Sequence, residues 1–233
     1  MNEMDTLSVE RGEMTLNKHM TKSFLWVFAA LLVTAVTAFL TAATGLWTVI
    51  FSNDFIYLGM IILELVLATY LGARVEKMSF GAAVACLLGY AILTGLTFSA
   101  LIIVFTPASI GLAFGFAALL FLDLAFIGIT TKFDLTSIKP LLFGGLMMMV
   151  IISVVGMFIN LSTMEVGICL VGIVVFMGLT AYDTQNIKRL YYMGENDSKL
   201  LSKLAIYSAL ELYLDFINIF LYIVRIIGRR RND

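Results

Sequence analysis

Long apolar stretches separated by short polar segments dominate the chain. A membrane-spanning helix needs about 20 mostly apolar residues, because each residue adds a rise of about 1.5 Å. Seven stretches meet this requirement, at residues 24–43, 55–73, 80–104, 109–131, 141–160, 166–186 and 204–228. The short loops between them indicate that neighbouring helices run antiparallel. The pattern predicts an all-α integral membrane protein built as a bundle of seven transmembrane helices.

The two ends of the chain are polar. Residues 1–22 carry mixed charges and are predicted to form a cytoplasmic tail, since a signal peptide would place its apolar region nearer the start. Residues 23–228 then form the seven-helix transmembrane domain, and residues 229–233 form a short basic tail. Pro107 is predicted to lie in a loop and Pro140 at a helix start, so the spans are expected to be unbroken.

The composition agrees with lipid as the solvent. Of 233 residues, 61% are hydrophobic and 13% are charged, against about 45–50% and about 25% in soluble domains. A net charge of -1 gives no indication of a nucleic-acid partner. Cys86 and Cys169 lie in apolar runs and are interpreted as small hydrophobic residues. The single histidine, His19, lies in the predicted tail, which disfavours a histidine-built metal centre, and no cofactor is predicted.

Lysine and arginine are distributed unequally among the loops. If the N-terminus is cytoplasmic, the cytoplasmic side holds Arg11, Lys18, Lys22, Arg74, Lys77, Lys132, Lys139, Lys188, Arg189, Lys199 and Lys203. The loops at 47–53, 105–108 and 161–165 hold none, so the positive-inside rule is satisfied over six spans. The last helix would place Arg225, Arg229, Arg230 and Arg231 outside. It either crosses, with its orientation imposed by the other six helices, or dips in and returns, and we predict a crossing.

Acidic residues within the predicted spans are the most informative polar positions. A charge near the bilayer centre costs at least about 2.5–3.5 kcal/mol, so such a residue is expected to face the bundle interior and to have a function. Five residues belong to this set: Glu64, Asp123, Asp183, Glu211 and Asp215.

The last span carries a polar stripe. Its polar residues are spaced by three or four positions, which places them on one face of a helix: Ser208, Glu211, Asp215, Asn218, Tyr222 and Arg225. The stripe predicts a centrally buried helix that turns one polar seam towards its neighbours. The seam is either a structural hydrogen-bond network or a polar pathway. Two carboxylates on successive turns repel each other, which favours the pathway.

Asp183 is expected to lie near Asp215 in the bundle. Asp183 is about 8 Å along its helix from Lys188, and Asp215 is about 16 Å from Leu204, a difference that helix tilt could absorb. Two carboxylates in one low-dielectric site would share a proton, and such a pair senses pH. When fully ionised, it can attract a divalent cation through its oxygen ligands. An interfacial acid beside Lys188 is the alternative for Asp183.

The two segments around these aspartates resemble a known family. AYDTQNI at residues 181–187 and LYLDFINIF at residues 212–220 are similar to the paired signatures of the transmembrane Bax inhibitor motif family, in its bacterial branch. The resemblance implies six helices around a central C-terminal seventh, in a bacterial cytoplasmic membrane. It also implies a pH-sensitive calcium leak with Asp183 and Asp215 as a di-aspartyl sensor. Glu64 matches an acid of the second span, Arg74 is the nearest match to a basic gating partner, and Asp123 matches no family role.

Other functions would use these residues differently. A proton-coupled cation transporter could employ the same acids, and counterflow measurements would separate it from a leak. A regulator of a membrane-bound protease or of cell-death machinery would act on a membrane-protein partner through the tail and loops. An intramembrane aspartyl protease needs GxGD around its second aspartate, whereas Asp215 lies in LDF, and no enzyme activity is expected. A retinal protein needs a lysine in the last span, and this one has none. A leak would have calcium, protons and the bilayer as its partners.

Overall fold

The computed structural model describes residues 15–156, 159, 162–195 and 197–231, which form a helical bundle. Seven helices are long: α1 (Leu16–Thr44), α3 (Asp54–Arg74), α4 (Phe80–Val104), α5 (Pro107–Thr130), α6 (Lys139–Gly156), α7 (Glu165–Gly194) and α8 (Ser198–Ile227). Helix α2 (Leu46–Phe51) is short, and 3-10 turns occupy Leu135–Ile138 and Ser162–Met164. The described residues contain no strand, and one isolated antiparallel bridge joins Phe105 to Arg230.

Six helices are long and apolar enough to cross a membrane. They are α1, α3, α4, α5, α6 with the turn before it (Leu135–Gly156), and α7. Only 6% to 33% of their most apolar windows is buried inside the protein. Most of their apolar surface therefore faces outwards, which is stable only in lipid. The prediction of an all-α membrane protein is confirmed.

Capping side chains set where the helices begin. An N-cap side chain accepts a hydrogen bond from a backbone N–H of the first turn and satisfies a donor that has no partner within the helix. Five caps of this kind start α1, α3, α4, α5 and α8: Thr15, Asn53, Ser79, Thr106 and Asp197. Gly45 ends α1 at φ 76°, a left-handed conformation that glycine adopts without strain.

The first helix begins earlier than the sequence predicts. Because α1 starts at Leu16, residues 16–22 form its first turns and do not belong to a tail. The expectation that His19 lies in a polar tail is also wrong. Its side chain is fully buried, and its ring lies 5.8 Å from that of Tyr191 on α7. Residues 1–14, with Arg11, and residues 232–233 of the C-terminal tail lie outside the described residues.

Helix α8 runs beside α4 from one end of the bundle to the other. At the proximal end, where α1 begins, Lys203 Nζ donates a hydrogen bond to the backbone carbonyl of Glu76, in the loop before α4. At the distal end, Arg231 N donates a 2.9 Å hydrogen bond to the carbonyl of Val104, the last residue of α4. Helix α8 is therefore as long as the bundle.

Helix α8 is also the most buried helix among those described. Sixteen of its 30 residues are buried, against one in α3 and two in α6. It packs against α1, α3, α4, α5 and, most extensively, α7. The Phe216 ring lies 5.3 Å from that of Phe114 on α5, and the Phe220 ring lies 6.0 Å from that of Phe98 on α4. Among the described residues, α6 packs on α7, and its backbone does not come close to that of α8.

A glycine brings α5 close to the part of α7 that carries Asp183. A Cβ atom added at Gly128 would lie 2.4 Å from the carbonyl oxygen of Ala181 and 2.9 Å from Thr184 Cβ. Both distances are shorter than van der Waals contact. The two backbones can therefore approach this closely only because position 128 has no side chain.

Candidate functional site

Asp183 of α7 and Asp215 of α8 lie together inside the bundle. Their side chains are 8% and 3% exposed, and their carboxyl groups are within hydrogen-bonding distance of each other. Thr180, one turn before Asp183, also contacts the Asp215 carboxyl group. Helices α7 and α8 form an antiparallel hairpin, and this hairpin brings the two signature aspartates together.

The helix ends differ from those used to estimate the depth of the pair. Helix α7 continues to Gly194 and α8 begins at Ser198, so both helices extend beyond the predicted spans. Along the helices, Asp183 lies about 16 Å from Gly194 and Asp215 lies about 25 Å from Ser198. The pair is therefore farther from the ends of its helices than the predicted spans indicate.

Glu211 adds a third carboxyl group to the site. It lies one turn before Asp215 on the predicted seam, and its charge acts on Asp183. Its Oε1 accepts a 2.6 Å hydrogen bond from the hydroxyl of Tyr207, one turn earlier on α8. We call Asp183, Glu211 and Asp215 the acidic cluster.

A lysine that the sequence did not assign to the site lies beside the acidic cluster. Lys139 Nζ, at the start of α6, is 5.4 Å from the centroid of the Tyr182 ring. Its positive charge acts on both Asp183 and Glu211. The sequence used Lys139 only to orient the chain, because its proximity to the acids depends on how α6 packs on α7.

Arg74 lies apart from the acidic cluster. It is the last residue of α3 and is exposed, and its side chain forms no hydrogen bond or ion pair with the described residues. The next residue, Val75, is 5% exposed and belongs to the core. The structure therefore does not bring the predicted gating arginine to Asp183 or Asp215.

Glu64 belongs to a separate polar cluster, whose members come from α1, α3, α4 and α8. Its Oε1 accepts a 3.4 Å hydrogen bond from the hydroxyl of Thr97, which joins α3 to α4. Nearby, the Tyr213 hydroxyl of α8 lies 2.6 Å from Thr34 Oγ1 of α1, and its ring packs edge-on against Tyr90 at 5.9 Å. The sequence found Glu64 but not its hydroxyl-bearing neighbours, because tyrosine and threonine are common in apolar helices.

Two other sequence-predicted polar residues have different surroundings. Asn218 is half-buried, and its Nδ2 donates a 2.7 Å hydrogen bond to the carbonyl of Leu214, so its amide turns back on its own helix. Asp123 is exposed on the outside of α5, and the expectation that it faces the bundle interior is wrong. It lies about 10 Å along the helix from Thr130 at the proximal end, where a charge costs less than at the bilayer centre.

Comparison with known proteins identifies the family. The family model described as inhibitor of apoptosis-promoting Bax1 matches residues 16–232. The chain belongs to this family. An uncharacterised protein of Borreliella burgdorferi is 38% identical over 232 residues, which cover 99% of this chain and 100% of that protein. The inner membrane protein YbhL of Escherichia coli is 37% identical over 229 residues, or 96% and 97% of the two chains. An uncharacterised protein of Deinococcus radiodurans is 36% identical over 208 residues, or 89% and 88%.

The match to the Bax inhibitor family confirms the resemblance seen in the two aspartate-containing segments. The matched region contains the acidic cluster, the Glu64 cluster and all seven long helices. The inner-membrane relative agrees with the apolar outer surface of the bundle.

The acidic cluster of this Bax inhibitor family member is incompletely hydrogen-bonded. Four buried oxygens in or near it have no hydrogen-bond partner among the described residues: Thr184 Oγ1, Ser208 Oγ, Glu211 Oε2 and Asp215 Oδ2. Buried polar atoms of this kind are uncommon in folded proteins and need an explanation, such as a bound ion or an ordered water molecule. No group of three or more His, Cys, Asp and Glu side chains in the described ranges is arranged to hold a metal ion.

Proposed function

We propose that this chain is a pH-sensitive calcium leak of the bacterial cytoplasmic membrane, controlled by the acidic cluster. The observation that carries the proposal is the burial of Asp183 against Asp215 between α7 and α8. Calcium prefers carboxylate and other oxygen ligands. In this proposal it is the transported ion, and the unpaired oxygens of Thr184, Ser208 and Glu211 lie along its route.

The contact between the two aspartates supports pH control. Two buried carboxylates in contact repel each other strongly when both are ionised, so the pair favours a state that retains one proton. Loss of that proton adds a negative charge between α7 and α8. The charge destabilises the contact between the two helices and increases attraction for a divalent cation. A change in pH thereby shifts the population between closed and conducting arrangements.

The proposal includes a topology of seven spans with a cytoplasmic N-terminus and α8 at the centre. The passage of α8 beside α4 from the proximal to the distal end supports a full crossing. The bias of lysine and arginine towards the proximal loops supports a cytoplasmic position for that end. The distal arginines are then outside, with an orientation imposed by the other six spans.

Cysteine labelling from each side of the membrane tests this topology. In a background with Cys86 and Cys169 replaced by alanine, Lys132→Cys should be labelled from the cytoplasmic side. Ser52→Cys and Arg231→Cys should be labelled from the outside, since these exposed positions lie at the distal end. A membrane-impermeant maleimide applied to intact cells and to inverted vesicles measures both. Labelling of Arg231→Cys only from the cytoplasmic side would show that α8 returns without crossing.

Calcium flux in proteoliposomes tests the function. Vesicles containing the wild-type chain should release calcium faster than protein-free vesicles, and the rate should depend on pH between about pH 6 and pH 8. Glu211→Leu should change the rate strongly, because it removes a buried carboxyl group from the polar seam. We expect a change of roughly tenfold, as for the loss of about 1.4 kcal/mol of interaction with the ion.

Ile217→Leu is the matched control for that substitution. Ile217 is 7% exposed and lies on the opposite, apolar face of α8, and the exchange conserves volume. Equal effects of Glu211→Leu and Ile217→Leu would count against an ion pathway along the seam. Release no faster than from protein-free vesicles at any pH would count against the leak itself.

A further inference from the structure

A cavity with basic and hydroxyl-bearing walls lies at the proximal end, away from the acidic cluster. Its volume is about 510 Å³, and it opens between the loop before α4 and the first turns of α8. The lining side chains come from these two segments: Met78, Ser79, Phe80, Ser198, Lys199, Ser202 and Lys203. We call this site the basic cavity.

A third lysine reaches the basic cavity from α1. Lys22 Nζ donates a 2.9 Å hydrogen bond to Ser202 Oγ and lies 5.2 Å from the centroid of the Phe80 ring. Two helices, α1 and α8, therefore bring three lysines to one place, although Lys22 is far in the sequence from Lys199 and Lys203. Such a convergence of like charges is unfavourable unless an anion compensates it.

The acidic residues nearby do not neutralise these lysines. Within the described residues, the one ion pair joins Arg189 to Asp134, elsewhere at this end. The charges of Lys199 and Lys203 act on Asp197, whose carboxylate also accepts hydrogen bonds from the backbone N–H groups of Lys199 and Leu200 as the cap of α8. If Asp197 and Glu76 each neutralise one lysine, two of the three lysines are compensated. One positive charge is then left in excess.

The remaining groups in the cavity fit a phosphate with an apolar attachment. The hydroxyl of Ser198 forms no hydrogen bond with the described residues, and that of Ser79 only accepts one, so both have a hydrogen to donate. Phe80, 40% exposed, forms an apolar wall and packs edge-on against Trp26 of α1 at 6.3 Å. Aromatic side chains of this kind are typical of the membrane–water interface.

We propose that the basic cavity binds the phosphate group of an anionic phospholipid. Lys22, Lys199 and Lys203 attract the phosphate, the Ser79 and Ser198 hydroxyls donate hydrogen bonds to it, and the Phe80 wall contacts the glycerol and the first acyl carbons. Basic pockets between helices at the cytoplasmic surface recognise anionic headgroups in this way. The site does not depend on calcium conduction or on the acidic cluster.

Lipid binding to the full chain in detergent tests the proposal. Phosphatidylglycerol and phosphatidylcholine with identical acyl chains are titrated separately, and native mass spectrometry measures the bound lipid. We expect phosphatidylglycerol to bind more tightly than phosphatidylcholine. The double variant Lys199→Gln with Lys203→Gln should bind phosphatidylglycerol roughly tenfold more weakly, because each lysine contributes a favourable charge interaction.

Two controls separate this site from general surface charge. Lys132→Gln removes one positive charge from an exposed position at the same end and should leave lipid binding unchanged. Lys199→Arg with Lys203→Arg keeps the charge and should retain binding, which shows that loss in the glutamine variant does not come from misfolding. Equal binding of the two lipids, or a glutamine variant that binds as the wild type does, would overturn the proposal.

A competition experiment with inorganic phosphate distinguishes two possible ligands of the basic cavity, the phosphate group of a lipid and free phosphate. Sodium phosphate at millimolar concentration should not displace phosphatidylglycerol, since the lipid also contacts the apolar wall. If phosphate bound and phosphatidylglycerol no longer remained bound, the cavity would be a site for a soluble anion. This result would overturn the lipid assignment.

Discussion

Calcium flux through the Asp183→Asn protein should be nearly independent of pH between about pH 6 and pH 8, whereas wild-type flux should vary several-fold. The substitution keeps the shape of the side chain and removes one titrating group from the buried pair. Without the Asp183 carboxyl group, Asp215 no longer shares a proton across the contact between α7 and α8. The same reasoning applies to Asp215→Asn. Flux into dye-loaded proteoliposomes at a series of pH values measures the effect.

The double variant makes this prediction sharper. Because the two aspartates act as one unit, the double Asn variant should resemble either single variant and should not show the sum of their effects. Asp134→Asn is the matched control, an exposed acid at the proximal end. Hydrogen bonds from Thr136, with a contribution from Arg189, hold the pKa of Asp134 below its ordinary value. Asp134 therefore stays ionised throughout this pH range, and its replacement should leave the pH profile intact.

A wild-type pH profile in Asp183→Asn, in Asp215→Asn and in the double variant would show that the pair is not the sensor. A profile lost equally in Asp134→Asn would indicate that general surface charge controls the flux. Circular dichroism and size-exclusion chromatography of each variant establish that the comparison is made between folded proteins.

Lys139→Gln should move the pH profile of calcium flux to higher pH. Lys139 Nζ lies 5.4 Å from the centroid of the ring of Tyr182, the sequence neighbour of Asp183, and a positive charge near carboxyl groups favours their ionised forms. Without it, the acidic cluster holds its protons more strongly, so the transition requires a higher pH. An exposed lysine is partly screened by water and salt, and we expect a shift of about half to one pH unit. The midpoint of the flux profile in proteoliposomes measures this shift.

Arg74→Gln serves as the comparison for Lys139→Gln. Both substitutions remove one positive charge from the proximal part of the bundle, but Arg74 is exposed and has no described side-chain contact with the acidic cluster. The midpoint in Arg74→Gln should therefore match that of the wild type. The opposite result, a shift in Arg74→Gln and none in Lys139→Gln, would mean that Arg74 approaches the pair in the functional cycle and that Lys139 has no role there.

Much of the helical architecture could be predicted from local pattern. The third predicted span has the observed bounds of α4, because Ser79 provides its cap and an apolar run fills its length. The earlier start of α1 was missed because residues 16–22 contain two lysines and a histidine, which indicate a tail on hydropathy alone. Hydropathy measures the solvent that a segment prefers, whereas the helix boundary depends on the Thr15 cap and on burial of His19.

The sequence by itself determined the long helices, the acids of α8 on one seam and the pairing of that seam with Asp183. Spacing along one helix and the family signatures carry this information. The tertiary structure decided that Lys139 joins the acidic cluster, that Arg74 stays outside it and that Asp123 faces outwards. The physical reason is that lipid and protein interior are both apolar. Hydropathy therefore cannot distinguish the face of a membrane helix that meets lipid from the face that meets another helix, and only the packing of the whole bundle makes that choice.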